Sequence, residues 1–206
     1  MTLPAGTMLS CLAARSSSPA SARGLRVAAV LFVTALTAAA AQLSLPLPFT
    51  PIPLTIQPMV VLLGGAVLGA RAGAASQLLY LAIGIAGLPV FAASPLLPPG
   101  AARLLGPTGG YLMAYPAAAF LAGWLAGRGF DRRYLTTVLA MLAGLAVIYA
   151  SGAAWLAFVL SPSNPAQALS PALRGGVFPF ILADTVKLLF AAGVMPAAWR
   201  LLGSKA

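Results

Sequence analysis

Val177-Phe-Pro-Phe-Ile-Leu-Ala-Asp184-Thr-Val-Lys187-Leu-Leu-Phe-Ala-Ala-Gly-Val-Met-Pro-Ala-Ala-Trp-Arg200-Leu-Leu202 is an apolar run broken by one acid and one amine, three residues apart. The hydrocarbon core of a bilayer takes about 20 helical residues, so this run is long enough to cross it. Each charge would cost about 2.5 to 3.5 kcal/mol at the centre of a lone membrane helix. A spacing of three puts both on one helical face, where they can pair. At 1.5 Å per residue they lie roughly 10 to 15 Å from the nearer helix end, within reach of a solute entering there. The pair is therefore either a self-neutralising packing device or a polar clamp for a small guest.

The rest of the chain has the same character. Of its 206 residues, 61% are hydrophobic and 7% charged, with mean hydropathy +0.98. A soluble domain is normally about a quarter charged. The length admits about five to seven spans and leaves little for a soluble domain. With no His, Cys11 alone and two acids, Asp131 and Asp184, the chain lacks the ligands of a zinc or di-iron site and the nearby carboxylate pair of a glycosidase. A phosphate-cradling loop needs Lys after Gly, whereas Lys187 follows Val186 and Lys205 follows Ser204. The expectation is a protein that is not an enzyme and carries no cofactor or metal. The net charge of +10 is spread between apolar runs, which fits membrane orientation better than a nucleic-acid face.

Read along its length, the chain gives an all-α integral membrane bundle of six transmembrane helices over residues 25–206, behind a disordered cytoplasmic tail at 1–24. The spans fall at about 26–45, 58–69, 72–88, 109–126, 135–160 and 177–202. A cleavable leader at 27–41 is the lesser reading, since several apolar segments follow. Pro46 to Pro58 holds too many prolines for a helix and reads as an extended or re-entrant connection. Short, Pro-interrupted segments at membrane depth point to a site. Residues 89–108 read as a packed lid, and the stretch with Pro162, Pro165, Pro171 and Arg174 as a loop. Arg15, Arg23, Arg26, Arg71, Arg128, Arg132, Arg133, Arg200 and Lys205 fall on the side of the termini, against Arg103 and Arg174 opposite, so both termini are expected in the cytoplasm and the protein in the cytoplasmic membrane.

Other residues join the candidate site. Gln57, at the mouth of the second span, offers two donors and an acceptor, or simply caps the helix. Leu105-Gly-Pro-Thr-Gly-Gly-Tyr111 either presents backbone N–H groups or permits a tight turn. Phe91, Tyr111, Tyr149 and Trp155 line an apolar pocket or belong to an interfacial belt. Ala35 and Ala39 form a small-xxx-small pair on the first span, which allows close helix approach.

Four stretches in this order carry a family resemblance: the Pro-Ile-Pro-Leu-Thr-Ile-Gln run ending at Gln57, Gly87-Leu-Pro-Val-Phe91, Gly106-Pro-Thr-Gly-Gly-Tyr111 and Val177 to Lys187. The chain resembles the biotin-specific substrate-binding subunits, or S components, of energy-coupling factor transporters, the BioY family. The resemblance implies high-affinity biotin capture from outside, with a transmembrane coupling subunit and paired ATP-binding-cassette ATPases as partners. It implies Asp184 and Lys187 as principal polar ligands, Gln57 and Tyr111 nearby, and Ala35 and Ala39 as the match to the family's docking motif. Two positions depart from the family. Ala92-Ala-Ser-Pro95 replaces a glycine-rich loop, with Ser94 or Arg103 as substitute anchors, and Leu112 stands where some members are polar or basic. The alternative function is a stand-alone secondary transporter of biotin or another small vitamin.

Overall fold

The computed structural model describes residues 6–94 and 97–203. It is helical almost throughout. In chain order the elements are α1 (Met8–Ala14), α2 (Pro19–Gln42), β1 (Ser44–Leu45), β2 (Leu54–Thr55), α3 (Gln57–Leu68), α4 (Ala70–Ile85), α5 (Ala102–Leu105), α6 (Gly109–Gly127), α7 (Tyr134–Leu160), α8 (Pro165–Gly176) and α9 (Phe178–Gly203). Helices α2, α7 and α9 are each long and apolar enough to cross a membrane.

Side-chain placement is inverted relative to a soluble protein. Leu182 and Phe190 on α9 are 77% and 78% exposed, and Phe32 and Leu135 face outward in the same way. Polar residues instead fill a buried seam where α2, α3 and α4 meet. Thr34 Oγ1 donates to Ser76 O at 2.9 Å, Gln77 Nε2 to Thr37 Oγ1 at 3.2 Å, and Gln57 Nε2 to Tyr80 OH at 2.8 Å. An apolar exterior over a polar interior that is largely hydrogen-bonded within itself is what hydrocarbon solvent demands; Gln77 Oε1 is the exception in this seam, buried without a partner.

Helix α6 is the hub, packing on α3, α4 and α7. Its inner face is Ala118, Ala119, Ala122 and Ala126, all buried. Such small residues let helix backbones approach closely. The approach is tight enough that a Cβ on Gly65 would strike the Ala119 backbone, and one on Gly123 the Gly69 and Ala70 backbone. The α3–α4 turn is the single residue Gly69 at φ +88°, a conformation that glycine adopts without strain.

Several expectations change at their edges. Helix α2 begins at Pro19, because Ser18 and Ser21 form a capping box ahead of a proline in the first turn. Residues 8–14 and 19–24 are therefore helical where a disordered tail was expected; residues 1–5 lie outside the described residues. The proline-rich connection is the loop of a short antiparallel hairpin over residues 44–55, with Ser44 opposite Thr55 and Leu45 opposite Leu54, and Gln57 and Pro58 already belong to α3. The expected loop after Leu160 contains α8, whose Pro165 sits at the permissive first turn.

The ends of the described chain meet. Arg15 Nη2 donates to Leu202 O at 3.5 Å, and Arg132 Nη2 to Gly6 O at 2.7 Å. Asp131 is buried there, accepting from Trp199 Nε1 at 2.6 Å and from Arg132 Nε at 3.1 Å, while the Arg132 guanidinium lies 3.5 Å over the Trp199 ring. Burial pushes the Asp131 carboxyl above its ordinary range, more than Trp199 and Arg132 pull it down.

Candidate functional site

Three elements converge on the two charges of α9. Lys187 Nζ donates to Asp184 Oδ1 and to Thr55 O, each at 2.8 Å, and Tyr149 OH donates to Asp184 Oδ2 at 2.7 Å. The ammonium thus ties β2 to α9, and α7 supplies the hydroxyl. A carboxylate accepts about four hydrogen bonds. Two are made here, so Asp184, 6% exposed, has acceptor capacity left for a guest. It lines a small hollow of about 50 Å³ together with Tyr111, Tyr115, Tyr149 and Phe180. Lys187 is not among the residues lining that hollow; its amine is turned to the carboxylate and the strand.

A larger hollow of about 310 Å³ adjoins the small one, sharing Ile52, Pro53, Thr55 and Tyr115 with it. Gln57, Phe91, Ser94 and Arg103 line this larger space. Both hydrogen bonds of the Gln57 side chain leave from Nε2, to Thr37 O at 3.3 Å and to Tyr80 OH. Phe91 stands edge-on to Tyr80, with ring centroids 5.4 Å apart, and Tyr80 in turn stacks on Tyr115 at 6.4 Å. The Phe91 ring occupies a berth that exists because residue 84 is glycine, whose Cβ would fall on the ring.

Arg103 is the cation of this larger wall. It is 8% exposed and donates from Nε to Pro98 O at 3.0 Å and from Nη1 to Ala92 O at 3.1 Å. Burial lowers its proton affinity, though a guanidinium remains charged. The chain has only two acids, and Asp184 pairs with Lys187 and Asp131 with Arg132. A buried cation is costly unless it is compensated. Here the protein meets it with two carbonyls, and neither bond uses Nη2.

The remaining candidates fall into place around these hollows. Tyr111 borders the small one, and its hydroxyl donates to Gly176 O at 2.8 Å. Its ring fits because Gly152 and Gly176 lack side chains. Gly109 and Gly110 serve close packing: a Cβ on either would strike Leu104 O or the Trp155 side chain, and Ser151 Oγ donates to Gly110 O at 2.9 Å. Leu112 lines the larger hollow. Trp155 donates to Gly106 O and lines neither space. Ala35 and Ala39 lie exposed on the outer face of α2, away from both. Tyr115 and Tyr80 were not singled out from the sequence. Tyr115 follows Tyr111 by four residues on one face of α6, which is the signal that could have found it.

The BioY family's sequence model matches residues 14–204. A relative from Pyrococcus horikoshii named "Probable biotin transporter BioY" is 42% identical over 178 residues, covering 86% of this chain and 96% of that one. The biotin transporter BioY of Thermotoga maritima is 36% identical over 77% of this chain and 86% of its own. The crystal structure of the S-component for biotin from an ECF-type ABC transporter superposes with a TM-score of 0.74 at 26% identity, covering 90% of this chain and 95% of that one. With the match spanning nearly its whole length, and with relatives of this similarity, the chain belongs to the BioY family.

Proposed function

We propose that this protein captures biotin and serves as the substrate-specific component of an energy-coupling factor transporter. The observation that carries this reading is the pairing of polar ends across an apolar hollow. At one end Asp184, braced by Tyr149 and Lys187, has acceptor capacity for N–H groups. At the other, Arg103 is a buried cation with no acid of its own. Between them run Ile52, Phe91, Leu112 and Tyr115. A pocket that is mostly apolar with a few well-placed polar groups, at the small end of the usual range of roughly 300 to 1,000 Å³, is the normal form of a small-molecule site. Biotin has ureido N–H donors at one end, a sulfur-containing bicycle and aliphatic chain, and a carboxylate at the other.

In this reading Asp184 accepts from the ureido group, Gln57 and Tyr111 shape the pocket, Phe91 and Tyr115 cover the bicycle and chain, and Arg103 pairs with the carboxylate. Lys187 acts through the strand it holds. The small hollow by itself is too cramped for the bicycle, so binding includes a shift of residues 52–55, which separate the two spaces. The bundle crosses the cytoplasmic membrane six times with both termini inside. The outward face of α2, with Ala35 and Ala39, meets a transmembrane coupling subunit, and ATPases supply the energy. The names of the relatives and of the solved structure support the substrate, and the basic side shared by the termini supports the orientation. Calorimetric titration of the purified protein with biotin tests the reading: saturable, equimolar binding is expected, and no binding at millimolar ligand refutes it.

A further inference from the structure

Arg103 borders two hollows. Beyond the larger one lies a third, of about 190 Å³, which shares Phe91, Ala93 and Arg103 with it. The shared residues place the larger hollow between the other two, so a ligand whose anionic end meets Arg103 has further space directly ahead. Nor is that space uniformly apolar. Gln42 reaches it from the last turn of α2, donating from Nε2 to Ala38 O at 3.3 Å, Pro89 O at 3.2 Å and Phe91 O at 3.5 Å. All three bonds use the amide nitrogen, so the acceptor side of Gln42 is not engaged by them. Leu88, Pro89 and Pro99 supply the apolar wall. The third hollow therefore offers a guanidinium for an anion, an amide oxygen for an N–H donor, and an apolar lining for methylenes.

We infer that this third hollow is a tail subsite, and that the protein also binds biotin derivatives extended at the carboxyl end, provided the extension carries its own carboxylate. The inference rests on the proposed biotin site. The chemistry decides which extensions are accepted. Arg103 is buried and has no acid partner in the protein, so an extension that ends without charge leaves the guanidinium with only its two carbonyls. A site built around a buried polar group rejects an analogue that lacks its partner far more strongly than one that merely adds methylenes. An anionic tail can slide past the first contact and still meet the guanidinium from its other side, since the side chain lines both spaces.

Four ligands on the purified, full-length protein test this: biotin, its homologue lengthened by two methylenes, Nε-biotinyl-lysine, and biotin propylamide. Competition against radiolabelled biotin gives the affinities. The lengthened acid and the biotinyl-lysine are expected within about tenfold of biotin, and the neutral amide at least a hundredfold weaker. If biotin binds but both acid-bearing extensions are more than a thousandfold weaker, the third hollow is not a subsite and the inference falls while the biotin reading stands. If biotin itself does not bind, the underlying reading falls and this inference with it. Leu88→Trp, which adds bulk at a residue that lines the third hollow and not the larger one, is expected to weaken biotinyl-lysine at least tenfold while leaving biotin within threefold. A variant that binds both ligands as the parent does would place the tail elsewhere and overturn the assignment.

Discussion

Removing the Lys187 ammonium should expose how strongly α9 and the β hairpin depend on it. Lys187→Met keeps the volume and deletes two charge-assisted hydrogen bonds, to Asp184 Oδ1 and Thr55 O, both 2.8 Å. The Asp184 carboxylate would then remain buried with only the Tyr149 hydroxyl for company. Breaking a buried pair by removing one partner typically costs about 3 to 5 kcal/mol. The Lys187 side chain keeps 19% exposure against 7% for Asp184, so some water reaches the amine end and the low end, about 3 kcal/mol, is expected. Asp184→Leu alone strands the ammonium, which still holds Thr55 O, and should cost about 2 kcal/mol. The double variant leaves no buried charge at all. It forfeits only the partners of Thr55 O and Tyr149 OH, about 1 to 2 kcal/mol together. Adding the singles gives about 5 kcal/mol, so the predicted coupling is about 3 to 4 kcal/mol. Reversible unfolding of the four proteins in detergent, followed by tryptophan fluorescence, measures it as a double-mutant cycle. Additivity to within about 0.5 kcal/mol would refute the account of the pair as a mutually dependent unit.

Other consequences can be checked independently. Gly152→Ala puts a methyl group into the Tyr111 ring, so Tyr111 must leave its bond to Gly176; a loss of about 1 to 3 kcal/mol in stability, together with weaker ligand binding, is expected from the same detergent unfolding and titration. Asp131 carries a raised pKa in the folded protein, so the folded state keeps its proton to higher pH than the unfolded chain does. Stability from this group therefore falls as pH rises from the ordinary carboxylate value, 3.8, through the raised one; Asp131→Asn should flatten that slope, and an unchanged slope in the pH dependence of unfolding would contradict it. Uptake of radiolabelled biotin by cells making this protein with coupling subunits should collapse when ATP is depleted; full uptake after depletion would favour the stand-alone transporter.

The sequence disclosed most of the helices because hydrocarbon solvent imposes long apolar runs, and the runs end where Pro and Gly cluster. What it hid was decided by local chemistry that periodicity does not register. The start of α2 depends on two serines and a proline acting together as a cap, inside a stretch whose Ser, Ala and Pro content reads as unstructured. Helix α8 is not legible because Pro165 and Pro171 look like breakers; Pro165 sits in the first turn, where it forfeits no helical bond, while Pro171 lies inside the helix and does forfeit one. At the site, Asp184 and Lys187 stood out because isolated charges in an apolar run are expensive. Tyr149 and Tyr111 could be named as pocket candidates, but their partners, Asp184 for one and Gly176 for the other, are set by helix rotation. Arg103 could be named from the sequence only as a substitute anchor. Its burial between two carbonyls, in a chain whose two acids pair with other cations, is set by the fold of residues 92–103 and could not be read from the sequence. Asp131 is the converse case, an acid in a basic turn that folding places beneath Trp199.

Titration of the purified protein with biotin and with biotin methyl ester, on the parent and on Arg103→Met, bears most directly on the proposed site. The parent should bind biotin saturably and the ester at least a hundredfold more weakly, because a buried guanidinium left without its anion penalises the neutral ligand. Arg103→Met should lose most of that preference and bind both ligands with similar, reduced affinity. A parent that does not bind biotin, or an Arg103→Met protein that keeps both the affinity and the preference, would contradict the assignment of this hollow as the biotin site.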